Sequence, residues 1–159
     1  MKKILELLER DASLTPQQIA VMLNRDAAEV EAKIREYEKE NVIVGYKTIV
    51  NWEKTEFEPV SAIIELRVTP QRGEGFDEVA KRIYQYEEVA SVYLMSGGFD
   101  IAVMLEGKTM KEVALFVAEK LAPMEQVIST ATHFVLRKYK VDGNIISDKP
   151  QDTREVITL

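Results

Sequence analysis

Apolar side chains recur at helical spacing in the N-terminal part of the chain. Residues 2–10, 15–23 and 26–40 each place apolar positions three or four residues apart, with charged residues between them. Such a pattern leaves one face of an α-helix apolar, and that face packs against its neighbours. The N-terminal part is therefore predicted to form three short amphipathic helices.

The second and third of these helices have clear beginnings and a tight turn between them. Thr15 and Gln18 have the spacing of a capping box, in which each side chain bonds the backbone N–H group of the other residue. Asp26 and Glu29 repeat that spacing, and Asn24 tolerates the left-handed backbone of a turn. Two capped helices joined in this way are typical of a helix-turn-helix, whose second helix usually lies in a DNA major groove.

Residues 42–50 change the pattern. They are rich in β-branched side chains on both sides of Gly45, which predicts two short strands that form a wing. Residues 51–60 are mostly polar and charged, and they are predicted to be a hinge.

Strand and helix patterns alternate beyond the hinge. Strands are predicted at residues 61–68, 89–95, 100–106 and 127–139, and helices at 76–87 and 109–121. The order β-α-β-β-α-β is that of a ferredoxin-like domain, in which one layer of helices covers one face of the sheet. The last strand carries apolar residues on both faces, so we expect the second face to meet another subunit.

These patterns predict an α+β chain, with an N-terminal winged helix-turn-helix followed by a ferredoxin-like βαββαβ domain. The expected divisions are residues 1–50 for the helix-turn-helix domain, 51–60 for the hinge, 61–143 for the ferredoxin-like domain and 144–159 for a C-terminal tail. The tail is polar with scattered apolar residues, which fits either an extra strand or a mobile end.

Composition narrows the classes of function. The 159 residues are 46% hydrophobic and 30% charged, which indicates a globular protein. There is no apolar run of bilayer-spanning length and no cysteine, so no membrane partner and no disulfide are expected, and a cytoplasmic location is favoured. The net charge is −6, so any contact with DNA must come from a local basic patch.

Several short motifs occur in a fixed order along the chain. They are IL at residues 4–5, DASLT at 11–15, IA at 19–20, IREYEKENVIVGY at 34–46 and SGGFD at 96–100. In this order and at these spacings, the chain resembles the Lrp/AsnC (leucine-responsive, or feast/famine) transcription regulators over about residues 1–140.

The resemblance implies a cytoplasmic regulator that binds double-stranded DNA through its N-terminal domain. The C-terminal domain of that family, called RAM, forms homodimers, assembles further into octamers and senses a small effector, usually an amino acid. By motif match, the effector-binding residues would be Ser96, Gly97, Gly98 and Asp100, together with Thr132, His133 and Phe134 on the last strand.

The chemistry of the tandem glycines also favours a binding site for an amino acid. Backbone N–H groups beside Gly97 and Gly98 can hold a carboxylate, and Asp100 can take an ammonium group, which together would grip a free α-amino acid. The alternative is that the two glycines form a type I′ turn and that Asp100 is a turn-flanking acid. Both interpretations remain open at this point.

The third helix conflicts with DNA binding, because residues 25–40 contain four basic and six acidic side chains. The candidate DNA contacts are Arg25, Ala27, Ala28, Ala32, Lys33, Arg35 and Lys47. The alternative is that these charges are solvated and form helical pairs such as Glu31–Arg35 and Glu29–Lys33. In that case the chain would be an amino-acid-binding or assembly protein with a weakened DNA-binding head.

No catalytic constellation is present in the sequence. His133 is the single histidine, and no HxxxH spacing, P-loop or nucleophile elbow accompanies it. We therefore predict no catalytic residue, no metal ligand, no cofactor and no enzymatic activity. A decarboxylase of the same fold, which would use histidine, is the weaker alternative.

Overall fold

A computed structural model describes residues 2–69 and 75–146 of the chain. The described residues fall into two compact units, which divide between Val50 and Asn51. Each unit is built around a hydrophobic core of its own. Within these ranges, no helix combines the length and apolar character that crossing a bilayer requires.

The N-terminal unit contains three helices, as the apolar pattern predicted. They are α1 (Lys2–Arg10), α2 (Pro16–Leu23) and α3 (Ala27–Lys39). Their apolar faces meet in a small core formed by Ile4, Leu8, Ile19, Ala20, Val30 and Ile34. The turn between α2 and α3 passes through Asn24, whose φ of 50° is left-handed.

The predicted capping box at α2 is confirmed. At α3, the predicted capping by Asp26 is present, but the return hydrogen bond from Glu29 is not. The Gln18 N–H group donates to Thr15 Oγ1 at 3.2 Å, and the Thr15 N–H group donates to Gln18 Oε1 at 2.8 Å. Asp26 Oδ1 likewise accepts from the first turn of α3. The Glu29 carboxylate does not return to Asp26, because Arg25 holds it in an ion pair.

The two wing strands predicted in residues 42–50 do not form within this unit. Instead, the first N–H groups of the segment donate to the Tyr37 carbonyl at 2.8 and 3.1 Å, and Tyr46 Oη donates to Glu38 Oε1 at 2.9 Å. β-Branched residues favour a strand only where a neighbouring strand supplies partners, and no strand among the described residues pairs with this segment. Side chains such as Val44 therefore remain exposed.

The C-terminal unit is an antiparallel sheet covered by helices on one face. Its main strands are β1 (Val60–Val68), β2 (Val89–Leu94), β3 (Ile101–Gly107) and β4 (Val127–Phe134). They lie in the order β2-β3-β1-β4, so the first strand is central and pairs with the last two. This is the ferredoxin-like order that the alternation of elements predicted.

Two helical segments cover one face of this sheet. They are α4 (Asp77–Ile83) and α5 (Met110–Phe116), and the chain continues from α5 into a π-helical turn, Val117–Leu121. Alternate residues of β1 face them and are buried, as are those of β3. The core comprises Ala62, Ile64, Leu66, Val68, Val79, Ile83, Ile101, Val103, Leu105, Val113, Phe116, Val117 and Leu121.

The other face of the sheet is not covered by helices, and we call it the open face. On β1 it includes Ile63, Glu65 and Arg67, which are half-buried or exposed. The residues paired with them across β4 are His133, Ala131 and Ser129. Met104 of β3 lies beside Ile63 on the same face.

The last strand is shorter than the predicted span of residues 127–139. Val135 makes the final hydrogen bond to β1, because β1 begins at Val60, and farther along the chain the Tyr139 carbonyl accepts from the Ile146 N–H group at 2.9 Å. A second small sheet follows, in which β5 (Lys140–Val141) pairs with β6 (Asn144–Ile145).

The first residues of the predicted tail are part of the fold. Ile146 is buried, and its carbonyl accepts from Asn51 Nδ2 at 2.8 Å. Residues 144–146 are therefore fixed against the start of the C-terminal unit. Residues 147–159, the rest of the predicted tail, lie outside the described residues.

Candidate DNA-binding and effector sites

A row of small and basic side chains follows the solvent side of α3. Ala28, Ala32, Arg35 and Lys39 are all exposed, and their spacing of four, three and four residues places them on one face. The opposite face is buried in the core through Val30, Ile34 and Tyr37. We call the row of four residues the α3 stripe.

Each of the three candidate cations around α3 is held by a carboxylate four or three residues away. The pairs are Arg25–Glu29 at 2.6 Å, Arg35–Glu31 and Lys33–Glu36. The predicted Glu31–Arg35 pair is confirmed, but Lys33 pairs with Glu36 because Arg25 occupies Glu29. The hydrogen bond to Glu36 raises the pKa of the Lys33 ammonium group above its ordinary value.

The remaining DNA candidates lie in different surroundings. Ala27 is half-buried and packs against the core of the N-terminal unit, so it does not belong to the α3 stripe. Lys47 is exposed, and it has no ion-pair partner in the part of the chain that the structure describes. Exposed ion pairs contribute only about 0–1 kcal/mol, so DNA phosphates can compete for the paired cations.

The glycine-rich segment forms a loop between β2 and β3. The Met95 N–H group donates to the Asp100 carbonyl at 2.8 Å and closes the loop over residues 96–99. Neither Gly97 nor Gly98 has a positive φ, so the type I′ turn considered for them is wrong. Two consecutive left-handed residues occur instead at Asp142-Gly143, with φ of 45° and 83°, between β5 and β6.

Backbone donors of this loop point to no protein acceptor. Among the described residues, the N–H groups of residues 96–99 make no hydrogen bond. The space beside both glycines is open, because a Cβ atom on Gly97 or Gly98 would meet no atom within 4 Å. Free adjacent N–H groups on an open surface are suited to bind an anion such as a carboxylate.

Asp100 is anchored to the neighbouring strand. Its Oδ2 accepts from the Val68 N–H group at 2.9 Å, and its own N–H group donates to the Leu66 carbonyl at 2.9 Å. The register of β1 against β4 shifts at Arg67/Val68, and this shift leaves the Val68 N–H group to be satisfied by a side chain. One carboxylate oxygen of Asp100 is thus committed to the fold.

The three candidates on β4 do not form a cluster with one another. Thr132 and Phe134 lie opposite Ile64 and Ala62, on the side covered by helices, whereas His133 lies on the open face. The loop ends beside Leu66 of β1, whose carbonyl accepts from the Asp100 N–H group. Along β1, the position opposite Phe134 is roughly 13 Å from Leu66, and the position opposite Thr132 is roughly 7 Å from it. On β4 these residues are separated from β3 by the intervening strand β1, and they lie on two different faces of the sheet, so within one copy they do not form a single cluster with the loop.

His133 has one polar neighbour on the open face. Its Nε2 lies 3.3 Å from Glu65 Oε1, and its side chain is exposed. In the described ranges, no three histidine, aspartate, glutamate or cysteine side chains converge in a way that could hold a metal ion.

A groove of about 360 Å³ beside α5 was missed by the sequence reasoning. Its floor is apolar, and its rim carries Glu88, Glu106, Glu112, Glu119 and Lys120. The only local signal is Gly107, where a Cβ atom would lie 3.0 Å from Val113 Cγ2. Glycine there allows α5 to approach the end of β3.

Comparison with protein-family models divides the chain in the same way as its two cores. A winged helix-turn-helix DNA-binding model matches residues 1–44, and the Lrp/AsnC ligand-binding domain matches residues 61–145. A DNA-binding helix-turn-helix joined to a ligand-binding domain defines a transcription regulator that responds to small molecules.

Curated relatives agree with that class of protein. An uncharacterized HTH-type transcriptional regulator of Bacillus subtilis, YugG, is 45% identical over 157 residues, which cover 98% of this chain and 95% of the relative. An uncharacterized HTH-type transcriptional regulator of Pyrococcus furiosus is 30% identical over 141 residues, covering 89% and 92%. The chain belongs to the Lrp/AsnC family of transcription regulators.

Solved structures share the fold. A transcriptional regulator of Neisseria meningitidis in complex with L-Met has a TM-score of 0.71 at 18% identity, covering 90% of this chain and 92% of that one. Escherichia coli AsnC has a TM-score of 0.66 at 16% identity, covering 87% and 91%. The combination of a helix-turn-helix and a ferredoxin-like sheet is thus common to these proteins.

Proposed function

We propose that this regulator senses a free amino acid at the loop of residues 96–99 and that the bound amino acid alters its binding to double-stranded DNA. The observation that carries the proposal is the set of unpaired N–H groups on an open loop, inside a domain of the ligand-binding family. The neighbouring fold in complex with L-Met supports the same class of ligand.

The loop and Asp100 offer complementary partners to the two ends of an amino acid. The carboxylate would accept from the N–H groups of the loop, and the ammonium group would donate to Asp100 Oδ1, since Oδ2 is engaged by Val68. Thr132, His133 and Phe134 lie on β4, which β1 separates from β3 and the loop, so we infer that they would contribute from a second copy.

In the N-terminal domain, we infer that the α3 stripe faces the DNA. Arg25, Lys33 and Arg35 would exchange their carboxylate partners for phosphates, and Lys47 would contact the backbone nearby. Ala28 and Ala32 would face the base edges, whereas Ala27 serves the core. Because a transcription regulator acts on chromosomal DNA, we place the protein in the cytoplasm, and we assign it no enzymatic activity.

We also propose that two copies pair through the open face of the sheet and that such homodimers assemble further, up to octamers. Half-buried Ile63 and Met104 and exposed Ala131 give this face an apolar centre. An Ala131→Glu variant would place a second carboxylate opposite Glu65 and is expected to shift the chain toward monomer in sedimentation experiments. Ala118→Glu, on the exposed side of the π-helical turn, is the control, and an unaltered dimer in both variants contradicts the proposal.

The effector proposal is tested by mixing the full chain with single amino acids and recording its thermal unfolding. An amino acid at about 100 times its Kd should stabilise the domain by roughly 2.7 kcal/mol. Gly98→Pro removes one N–H donor and should weaken binding, whereas Gly98→Ala keeps that donor in open space and should bind normally. If no amino acid raises the unfolding temperature, or if both variants bind alike, the loop is not the site.

A further inference from the structure

The α3 stripe is apolar at its N-terminal end, and exposed Glu29 lies beside it. In helix-turn-helix proteins, residues in the N-terminal part of the second helix contact base edges in the major groove. In this chain the exposed stripe begins with Ala28 and Ala32, and its basic residues, Arg35 and Lys39, come only in the later part. The stripe therefore presents methyl groups where other readers present hydrogen-bond donors.

The donors on either side of these alanines are already engaged. Arg25 is bound to Glu29, and Arg35 is bound to Glu31. Such a guanidinium is engaged by its carboxylate or, in the proposed DNA complex, by a phosphate, so in neither case does it serve a guanine edge, and the carboxylates themselves accept only from cytosine amino groups. Direct hydrogen-bond readout is thus disfavoured around Ala28 and Ala32.

Among the groups on the floor of the major groove, the C5 methyl of thymine is the one that an alanine side chain recognises. Alanine is also short, so the helix axis can approach the bases closely. We propose that Ala28 and Ala32 are specificity-determining residues that contact the methyl groups of two thymines in the operator. This inference rests on the proposed contact of the α3 stripe with DNA.

The spacing of the two alanines predicts the spacing of the thymines. Four residues of α-helix rise about 6 Å, and successive base pairs are about 3.4 Å apart. For a helix lying along the groove, Ala28 and Ala32 reach positions two base-pair steps apart. The operator half-site therefore contains two thymines separated by one base pair, on the same strand or on opposite strands.

The test begins with selection of binding sites from a random duplex pool by the full chain. The enriched sequence should contain the thymine pair. Each thymine is then replaced by deoxyuridine, which lacks only the methyl group. Burial of one methyl group strengthens binding about fourfold. Each replacement should therefore weaken binding about fourfold, and both together roughly 15-fold. Replacement of thymines outside the half-site is the control and should have no effect.

Protein variants connect each alanine with one methyl group. The Ala28→Gly variant should bind equally well whether thymine or deoxyuridine occupies one of the two positions of the half-site. The Ala32→Gly variant should show the same equal binding at the other position. Ala114→Gly, at an exposed position of α5, should keep the full sensitivity of the unaltered chain. The deoxyuridine measurements with the unaltered chain need no protein variant. They test thymine-methyl recognition even if a glycine variant folds poorly.

The possible outcomes separate this inference from the function on which it rests. If the chain selects a DNA sequence but binds its deoxyuridine form equally well, thymine readout by alanine is overturned and DNA binding stands. If the enriched sequence lacks thymines at the predicted spacing, the inference fails in the same way. If no duplex is retained even at low salt, both the inference and the DNA-binding role of α3 are overturned.

Discussion

Asp100 Oδ2 accepts a hydrogen bond of 2.9 Å from the backbone N–H group of Val68, which lies 32 positions earlier in the chain. This contact joins the end of the glycine-rich loop to the central strand at the point where the register of that strand shifts. A single aspartate therefore both satisfies a buried donor and holds the loop beside the sheet.

Loss of this acceptor should destabilise the C-terminal domain. Asp100→Ala leaves the N–H group of buried Val68 unsatisfied, which typically costs about 1–3 kcal/mol. Asp100→Asn retains a carbonyl oxygen and should lose less. Denaturant unfolding followed by circular dichroism measures both variants, and equal stability of the alanine and asparagine variants would contradict the assigned role.

Removal of a carboxylate beside α3 should strengthen non-specific DNA binding. Glu29→Gln frees Arg25, and Glu31→Gln frees Arg35, so each variant gains one cation that can neutralise a phosphate. For each variant, the slope of log affinity against log salt concentration should become more negative by about 0.9. Between 1 M and 0.1 M salt, the affinity of the variant should therefore rise about eightfold more than that of the unaltered chain.

Fluorescence anisotropy with a random duplex at several salt concentrations provides this measurement. Glu119→Gln, at an exposed position of the C-terminal domain, makes the same change of charge away from α3 and is the control. If all three variants show the slope of the unaltered chain, the paired cations do not contact phosphates.

Alkaline titration should distinguish Tyr46 from an ordinary tyrosine. Partial desolvation of this half-exposed side chain raises the pKa of its phenol above the ordinary value, and the hydrogen bond to Glu38 raises it further. Because the pKa is higher in the folded state, the resulting stabilisation is complete below the unfolded pKa and is lost as the pH rises through the folded pKa. Ultraviolet absorbance of tyrosinate should show a late-titrating group that is absent from Tyr46→Phe, and identical curves for the two proteins would exclude this assignment.

The glycines should differ in their tolerance of a side chain. Gly143 has a φ of 83° in the β5–β6 turn, so Gly143→Ala should cost about 1–2 kcal/mol. Gly97 does not have a positive φ, and a methyl group added there would meet no atom within 4 Å, so Gly97→Ala should be nearly neutral. Unfolding midpoints of the two variants test this difference, and an equal loss at both glycines would argue against it.

Local signals predicted the elements well, because their causes lie within a turn or two of the chain. The capping box of Thr15 and Gln18, the left-handed Asn24 and the alternation of β1 each depend on residues close in sequence. The order of strands and helices likewise determined the ferredoxin-like arrangement, since few connections fit that order.

The sequence predicted less well which strands and which charged side chains pair with one another. Residues 42–50 had the composition of strands but do not pair with a strand of the described residues, and β4 ended opposite the beginning of β1. Lys33 had two carboxylates within reach, and its pairing with Glu36 depended on Arg25 occupying Glu29. The Gly97-Gly98 pair had the composition of a tight hairpin, yet the left-handed turn formed at Asp142-Gly143.

By itself, the amino-acid sequence determined the two cores, the family and the candidate residues, because apolar period, caps and motif order are properties of the chain. Only the tertiary structure decided which of those residues can act together. It joined Asp100 to Val68, separated the loop from the β4 candidates and placed Ala28 and Ala32 on one exposed face. The physical reason is that hydrogen bonds and ion pairs act over a few ångströms, and only folding determines which atoms lie within that distance.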